Sequence, residues 1–306
     1  MSRTIDKILV LGASGDQGLP LVGALKEAGA TPIAGARRLD AMQDSVFSDL
    51  PVLLADITDQ ASLESAFSQV DAVAMHLPFA HDFELAQSFG RNIAQAAAAA
   101  GLKKIVFNTS CVIADNDLGV TAHDGRRSIE ESIRDCGVDY VILRPAVFMD
   151  NMIRVWCKPT IVKANSFVYP ASDELQVSWI CLQDLAKLSA SAVLDDNLKR
   201  ETFTVGGPQA LTGHEVAQVL SEASGRAITF DSLAPQVFAE NMSEMVTGSR
   251  EVPPGSPYHG MAKFYTWYND QAESPVKVDP NSFLKHLPVE LTSFSDWANQ
   301  QDWDTV

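Results

Sequence analysis

The stretch Lys7-Ile8-Leu9-Val10-Leu11-Gly12-Ala13-Ser14-Gly15-Asp16-Gln17-Gly18 decides the reading of this chain. Lys7 to Leu11 is a short, largely apolar run stopped by Gly12, the pattern of a buried strand. Beyond the glycines, Leu19 to Ala28 places Leu21, Val22, Leu25 and Ala28 on one helical face, with Gly29 as its stop. A strand-to-helix turn needs glycine where the backbone bends tightly and where a pyrophosphate must reach the amides. The helix N-terminus then offers free N–H groups and its dipole to the anion. Gly12, Ser14, Gly15, Asp16, Gln17 and Gly18 are therefore candidate phosphate contacts. A plain strand-to-helix turn is the competing reading. The strand before, the helix after and the position at the head of an alternating pattern favour the phosphate.

Outward from this loop the alternation continues. Thr31–Ala34, Val52–Ala55, Ala72–Met75, Lys104–Phe107 and Tyr140–Leu143 read as further strands. Between them lie a helix capped near Thr58 and Asp59, a long alanine-rich helix to about Ala100 ended by Gly101, and a helix around Ile129 to Cys136. Strand and helix in this order mean parallel pairing with both faces of the sheet covered. The expected fold is α/β, a doubly wound parallel sheet of the Rossmann type. After Arg144 the alternation weakens, and Pro145, Pro159, Pro170, Gly206-Gly207-Pro208 and Pro253-Pro254-Gly255 punctuate a more aromatic half. Residues 1–150 are expected to form the dinucleotide-binding domain, rejoined by a strand and helix within 176–192. Residues 151–175 and 193–306 are expected to form a smaller C-terminal substrate-binding lobe over the carboxyl ends of the strands.

Composition excludes several functions. With 306 residues the chain can bury a large core without staples. Twenty-three Lys and Arg against 39 Asp and Glu leave a net charge of −16, which repels nucleic acid and anionic membranes. No apolar run reaches the ~20 residues of a membrane helix. Cys111, Cys136, Cys157 and Cys181 form no CxxC pair and read as reduced thiols, so the expected setting is the cytoplasm, with no leader in the polar N-terminus. There is no GxSxG elbow and no GxxxxGK[ST] loop.

The end of the second strand selects the dinucleotide. Ala34-Gly35-Ala36-Arg37-Arg38 carries two guanidiniums where an acidic residue would bind the ribose hydroxyls of NAD, and these suit a 2′-phosphate. Asp56, followed by Ile57, is placed to meet the adenine amine or to cap the next helix. His76, Leu77 and Pro78 close the fourth strand, where the chain passes the dinucleotide. His76, His81 and Asp82 lack a third imidazole nearby, so no metal is expected; Asp82 reads as a helix N-cap.

These residues, with Lys104-Ile105-Val106-Phe107-Asn108-Thr109-Ser110 and Leu143-Arg144-Pro145-Ala146-Val147-Phe148-Met149-Asp150-Asn151, resemble the NmrA-like group of atypical short-chain dehydrogenases/reductases. The Arg-Pro-x-x-Phe-Met-x-Asn stretch carries the most specific likeness, and Val177-Ser178-Trp179-Ile180 with Asp184 and the Leu287-Pro288 and Phe294 segment extend it along the whole chain. The resemblance implies NADPH or NADH binding, with Asn108, Thr109, Pro145, Ala146, Val147 and Phe148 as cofactor contacts. It also implies Ser110 at the family's active-site serine. Conventional members use a YxxxK pair; the matching segment here is His123-Asp124-Gly125-Arg126-Arg127. His123 stands for the tyrosine and is expected to donate a proton, unless it is only a surface histidine before a helix. Arg127 stands for the lysine and is expected to hold the ribose.

The expected function is an NADP-dependent oxidoreductase that reduces a carbonyl or conjugated double bond of a small, largely apolar or aromatic substrate. Ser110, His123 and Arg127 would serve catalysis, and Trp156, Phe167, Tyr169, Tyr258, Phe264, Tyr265, Trp267 and Tyr268 would supply lobe core and pocket wall. Two alternatives stand beside it. One is a dinucleotide-sensing regulator that contacts a protein partner without turnover. The other is an isomerase or lyase that keeps the cofactor as scaffold. A monomer or homodimer is expected.

Overall fold

The computed structural model describes residues 5–38, 50–80 and 82–305. The first half runs β1 (Lys7–Leu11), α1 (Gly18–Glu27), β2 (Thr31–Ala36), β3 (Val52–Leu54), α2 (Gln60–Phe67), β4 (Ala72–His76), α3 (Phe83–Ala100), β5 (Lys104–Asn108), α4 (Thr121–Asp135) and β6 (Asp139–Pro145). The second half continues with β7 (Val147–Phe148), a 3₁₀ turn over Met149–Ile153, α5 (Lys158–Ala164), β8 (Ser166–Tyr169), β9 (Trp179–Ile180) and α6 (Leu182–Leu194). It closes with β10 (Glu201–Val205), α7 (Gly213–Ser224), β11 (Thr229–Ser232), α8 (Pro235–Thr247), α9 (Pro257–Asn269), α10 (Asn281–Leu284) and α11 (Phe294–Asn299).

Seven strands form one parallel sheet in the order β10-β6-β5-β4-β1-β2-β3. The direction of winding reverses between β1 and β4, the crevice where doubly wound sheets bind ligands. Alternate side chains of β1 serve opposite faces: Ile8 and Val10 join the core under α1 and α6, and Leu9 and Leu11 the core under α2 and α3. Both faces are dry, so the strands read as nearly continuous apolar runs.

The sequence pattern locates six of these strands. The seventh, β10, lies inside 193–306, the stretch assigned to the lobe, yet it pairs with β6 from Glu201↔Val141 to Val205↔Pro145. It is an edge strand with exposed Glu201 and half-exposed Thr202 and Thr204, so it alternates instead of running apolar. Within 176–192, α6 packs on α1 and the sheet. The strand there, β9, pairs with β7 instead of the main sheet. No helix among the described residues is long and apolar enough to cross a membrane.

The lobe is held by rings. Tyr169 lies 5.1 Å from Trp179, 5.8 Å from Phe167 and 5.8 Å from Tyr265, centroid to centroid. Phe264 and Trp267 of α9 reach 5.6 and 5.8 Å from the His123 ring on α4, which docks the lobe onto the domain.

Candidate functional site

The glycine loop is built as its sequence demands. Gly12 takes φ +81°, a conformation that favours glycine, at the turn out of β1. At Gly18 a Cβ would sit 2.1 Å from the Gly12 carbonyl oxygen, so this glycine lets helix and strand touch. A Cβ on Gly12 would meet His76 Cε1 at 2.5 Å, and one on Gly15 would meet His76 Nε2 at 3.2 Å. The His76 ring therefore packs directly against the bare loop, at the inner wall of the switch-point cleft. No side chain caps α1, whereas Asp59, Asp82 and Thr212 cap α2, α3 and α7. The first amides of α1, Gly18 and Leu19, turn back to the Gly15 carbonyl at 3.0 Å, and Pro20 has no N–H, so a dinucleotide phosphate would be met by the positive end of the helix and by the loop amides of Ser14, Asp16 and Gln17.

Around this cleft the structure gathers most of the expected residues. Ser14 and Asp16 are exposed on the loop, and Arg37 and Arg38 are exposed past the end of β2. Arg154, from just after the 3₁₀ turn, pairs with Asp16 at 2.8 Å. Asp56 follows β3, where its Oδ1 accepts from Thr58 N–H at 2.9 Å and Thr58 Oγ1 at 2.8 Å. It shapes the turn before α2, and Asp59 is the N-cap. Ile57 is buried beside it. Pro145 and Ala146 are buried at the end of β6, and Val147 and Phe148 form β7. His81 lies outside the described residues.

At the end of β5 a polar network fixes one hydroxyl. Ser110 takes φ +63°, a strained conformation for a residue with a Cβ. Its N–H donates to Asn108 Oδ1 at 2.8 Å, and Asn108 Nδ2 donates to Gln17 Oε1 at 2.7 Å. Ser110 Oγ lies against both ends of the Gln17 amide: it accepts from Nε2 at 3.1 Å and donates to Oε1 at 3.2 Å. Thr109 behaves differently. It is fully buried, with Oγ1 donating to the Cys111 or Leu143 carbonyl, and it joins strands instead of facing the cleft.

Two expected roles change. His123 is buried inside the protein, where Nε2 accepts the Ala114 N–H at 2.9 Å. Its proton therefore sits on Nδ1, 3.4 Å from Asp124 Oδ1, while Asp124 accepts from the Leu118 and Val120 amides. Burial pushes the His123 pKa down, against the pull of Asp124. A neutral imidazole with both nitrogens engaged in the protein is a tie for the 114–120 loop, not a proton donor to a ligand. Arg127 donates to the Asp115 carbonyl at 3.0 Å and pairs with Asp117, so it braces the same loop and does not reach toward a ribose.

The neighbour Arg126 takes the inner position. It shares the buried face of α4 with Ile129, Glu130 and Ile133, at the i, i+3, i+4, i+7 spacing of one helical stripe. Its Nη2 donates to the Leu77 carbonyl at 2.6 Å, at the rim of the cleft. That spacing was available in the sequence and distinguishes Arg126 from Arg127. Glu130, on the same stripe, is closed off by Arg144 at 2.5 and 2.9 Å.

His76 is largely desolvated beside Arg126, and burial with that positive charge pushes its pKa to about 4, so it is neutral at physiological pH. Under the loop, Gln17, His76, Asn108 and Ser189 help line a cavity of about 10 Å³, room for one water. A shallow hollow of about 500 Å³ beside Thr202, Phe203 and Lys277 lies at the β10 edge, separated from β1 by β6, β5 and β4.

A glycine loop feeding an uncapped helix at the switch point of a parallel sheet defines a doubly wound dinucleotide-binding protein whose site lacks the YxxxK pair. Residues 4–298 match the NmrA-like family, and the chain belongs to it. The (4-alkanoyl-5-oxo-2,5-dihydrofuran-3-yl)methyl phosphate reductase of Streptomyces griseus subsp. griseus is 28% identical over 228 residues, 74% of this chain and 77% of that protein. The NAD(P)H azoreductase of Xenophilus azovorans is 27% identical over 241 residues, 78% of this chain and 81% of its own. Among solved structures, the triphenylmethane reductase of Citrobacter sp., complexed with NADP(H), has the same fold. It superposes with a TM-score of 0.77 at 22% identity, covering 96% of this chain and 99% of that one.

Proposed function

We propose that this protein is an NAD(P)H-dependent oxidoreductase, prefers NADP, and reduces a carbonyl or conjugated double bond of a small, largely apolar or aromatic substrate. The reductase activities of the two relatives support the reaction class. The preference is supported by exposed Arg37 and Arg38 at the end of β2, where the sequence puts guanidiniums instead of an acid directly after Ala36.

The observation that carries the reading is the juxtaposition at the switch point: a glycine loop opening a helix that no side chain caps, with the Ser110 hydroxyl held beside it by Gln17. When bound, the dinucleotide supplies a hydride. The chain would hold its pyrophosphate through the loop amides of Ser14, Asp16 and Gln17, which are not among the loop's internal donors Gly15 and Gly18. Gln17 and Asn108 hold Ser110 in its strained conformation, and Ser110 donates a hydrogen bond to the substrate oxygen as negative charge develops there. With His123 engaged in the protein, the proton that completes the product comes through Ser110 or from water.

A sensing role without turnover is the second reading. It is favoured by the loss of His123 as a donor and by a cavity at the loop with room for only one water. Loss of NADPH absorbance with quinones, aromatic aldehydes, enones and azo dyes separates the two. Turnover that falls in Ser110→Ala supports the enzyme. Tight NADPH binding with no turnover on any of them supports the sensor.

A further inference from the structure

Arg126 is a buried cation with no carboxylate partner among the described residues. It is 3% exposed, and among the described residues its Nε and Nη1 have no hydrogen-bond partner. No carboxylate among those residues pairs with it; the Cys111 thiol, itself pushed up to about 11 by burial, is its one titratable neighbour of opposite effect. The buried carboxylates are answered, and Arg127 and Arg226, each with a buried Nε that lacks a partner, spend their other nitrogens on Asp115, Asp117 and Trp303. Glu130 meets Arg144, Asp184 meets Lys187 and Thr292, and Asp150 accepts from the Leu182 amide. A buried guanidinium with open donors is costly, and proteins that keep one commonly hold an oxyanion against it.

The surroundings are built for an arriving group. Nη2 is spent on the Leu77 carbonyl, which fixes the guanidinium at the rim of the cleft. Phe79 lies over its face at 4.3 Å, and this ring is itself 60% exposed. Phe79 belongs to no helix or strand, so a loop side chain with an exposed ring lies against the Arg126 guanidinium. On the other side His76 feels the Arg126 charge and touches the glycine loop.

The geometry points to Arg126 as an oxyanion receptor covered by Phe79: it takes a carboxylate or phosphate group when the Phe79 ring moves aside. This deepens the reductase reading and rests on it for the source of the anion, which is an acidic substituent of the substrate or a phosphate of the dinucleotide. In the first case the substrate is an apolar or aromatic molecule carrying an acid, with its ring beside Phe79 and its acid on Arg126.

The test is calorimetric titration of the full chain and of Arg126→Gln with NADPH, and then with benzoate and neutral benzamide at saturating NADPH. A charge-assisted bond predicts that benzoate weakens by roughly tenfold or more in Arg126→Gln, with benzamide and NADPH within about twofold. That result assigns the receptor to the substrate. A loss of similar size in NADPH affinity, with benzoate unaffected, assigns it to the dinucleotide phosphate. Affinities for both within about twofold of wild type overturn the proposal. Failure of the wild-type chain to bind NADPH would sink the reductase reading instead, and benzoate without cofactor would then decide on Arg126. Should Arg126→Gln not fold, Phe79→Ala leaves the cation in place. Phenylglyoxal should then label Arg126 faster, as read by peptide mass, with protection by benzoate or NADPH. Absence of protection by either refutes the receptor.

Discussion

Replacing His123 by Phe separates a structural histidine from a proton donor. The ring is 2% exposed, and Phe, a larger ring than imidazole, must fit between Phe264 and Trp267. The change deletes the 2.9 Å bond from the Ala114 amide and leaves that N–H buried without a partner, a loss of about 1–3 kcal/mol. A third ring in the cluster returns about 0.5–1 kcal/mol. The net expectation is a destabilisation of about 1–2 kcal/mol, a fall in Tm of several degrees for a chain of this size. Because the folded state holds this imidazole below its ordinary value of 6.5, it binds protons more weakly than the unfolded chain. The wild type therefore loses stability as pH falls below about 6.5, and the Phe variant loses less. Thermal melts across pH read the first effect, and kcat against pH with a substrate that turns over reads the second. Turnover should change by less than about threefold, against the 10²–10⁴-fold typical of a lost general acid. A loss of that larger size, with an unchanged melt and a vanished pH limb, would show that His123 swings into the cleft and would refute the reasoning.

Three further outcomes follow from the same geometry. Gly18→Ala forces a Cβ to 2.1 Å from one backbone atom and 2.7 Å from another, and should cost about 3 kcal/mol or more in a melt. Gly23→Ala, with nothing within 4 Å, should stabilise α1 by about 0.5–1 kcal/mol, so equal effects at the two glycines would disprove the packing account. Arg37→Ala should weaken NADP by about 1–3 kcal/mol and leave NAD nearly unchanged in calorimetry; equal losses for both would remove the 2′-phosphate role. His76, held at about 4 against 6.5 unfolded, adds nothing above pH 6.5 and costs stability progressively toward and below pH 4, by about 3 kcal/mol in all. His76→Gln should flatten that part of the urea midpoint against pH, and an unaltered curve would place its titration elsewhere.

Much of the fold is legible because burial on both faces leaves a local mark. Ile8–Leu11, Ala72–Met75 and Ile105–Phe107 are apolar without alternation, and each is punctuated where the chain must turn. β10 escapes because an edge strand buries less: its Thr202 and Thr204 point toward water, and the lobe interrupts the regular strand-helix spacing before it. Its place beside β6 is a long-range pairing that no local pattern encodes.

In the site, the legible part is the part set by backbone sterics. A glycine whose Cβ would strike a carbonyl oxygen two angstroms away is a glycine in any reading, and so the loop could be found from its spacing. Side-chain roles depend on contacts from elsewhere in the chain. His123 and Arg127 stand four residues apart, as a YxxxK pair does, but the fate of His123 is decided by the Ala114 amide and by two rings more than a hundred residues away. Helical phase was the better guide than the spacing. Taken from Ile129 and Ile133, whose burial on α4 is plain from the pattern, it turns Arg126 inward and Arg127 toward the 115–117 loop. An arginine on the apolar stripe of an amphipathic helix has to be answered by a partner. Glu130 is the acid on the same stripe and is taken by Arg144, which leaves Arg126 as the charge on that face still without one among the described residues.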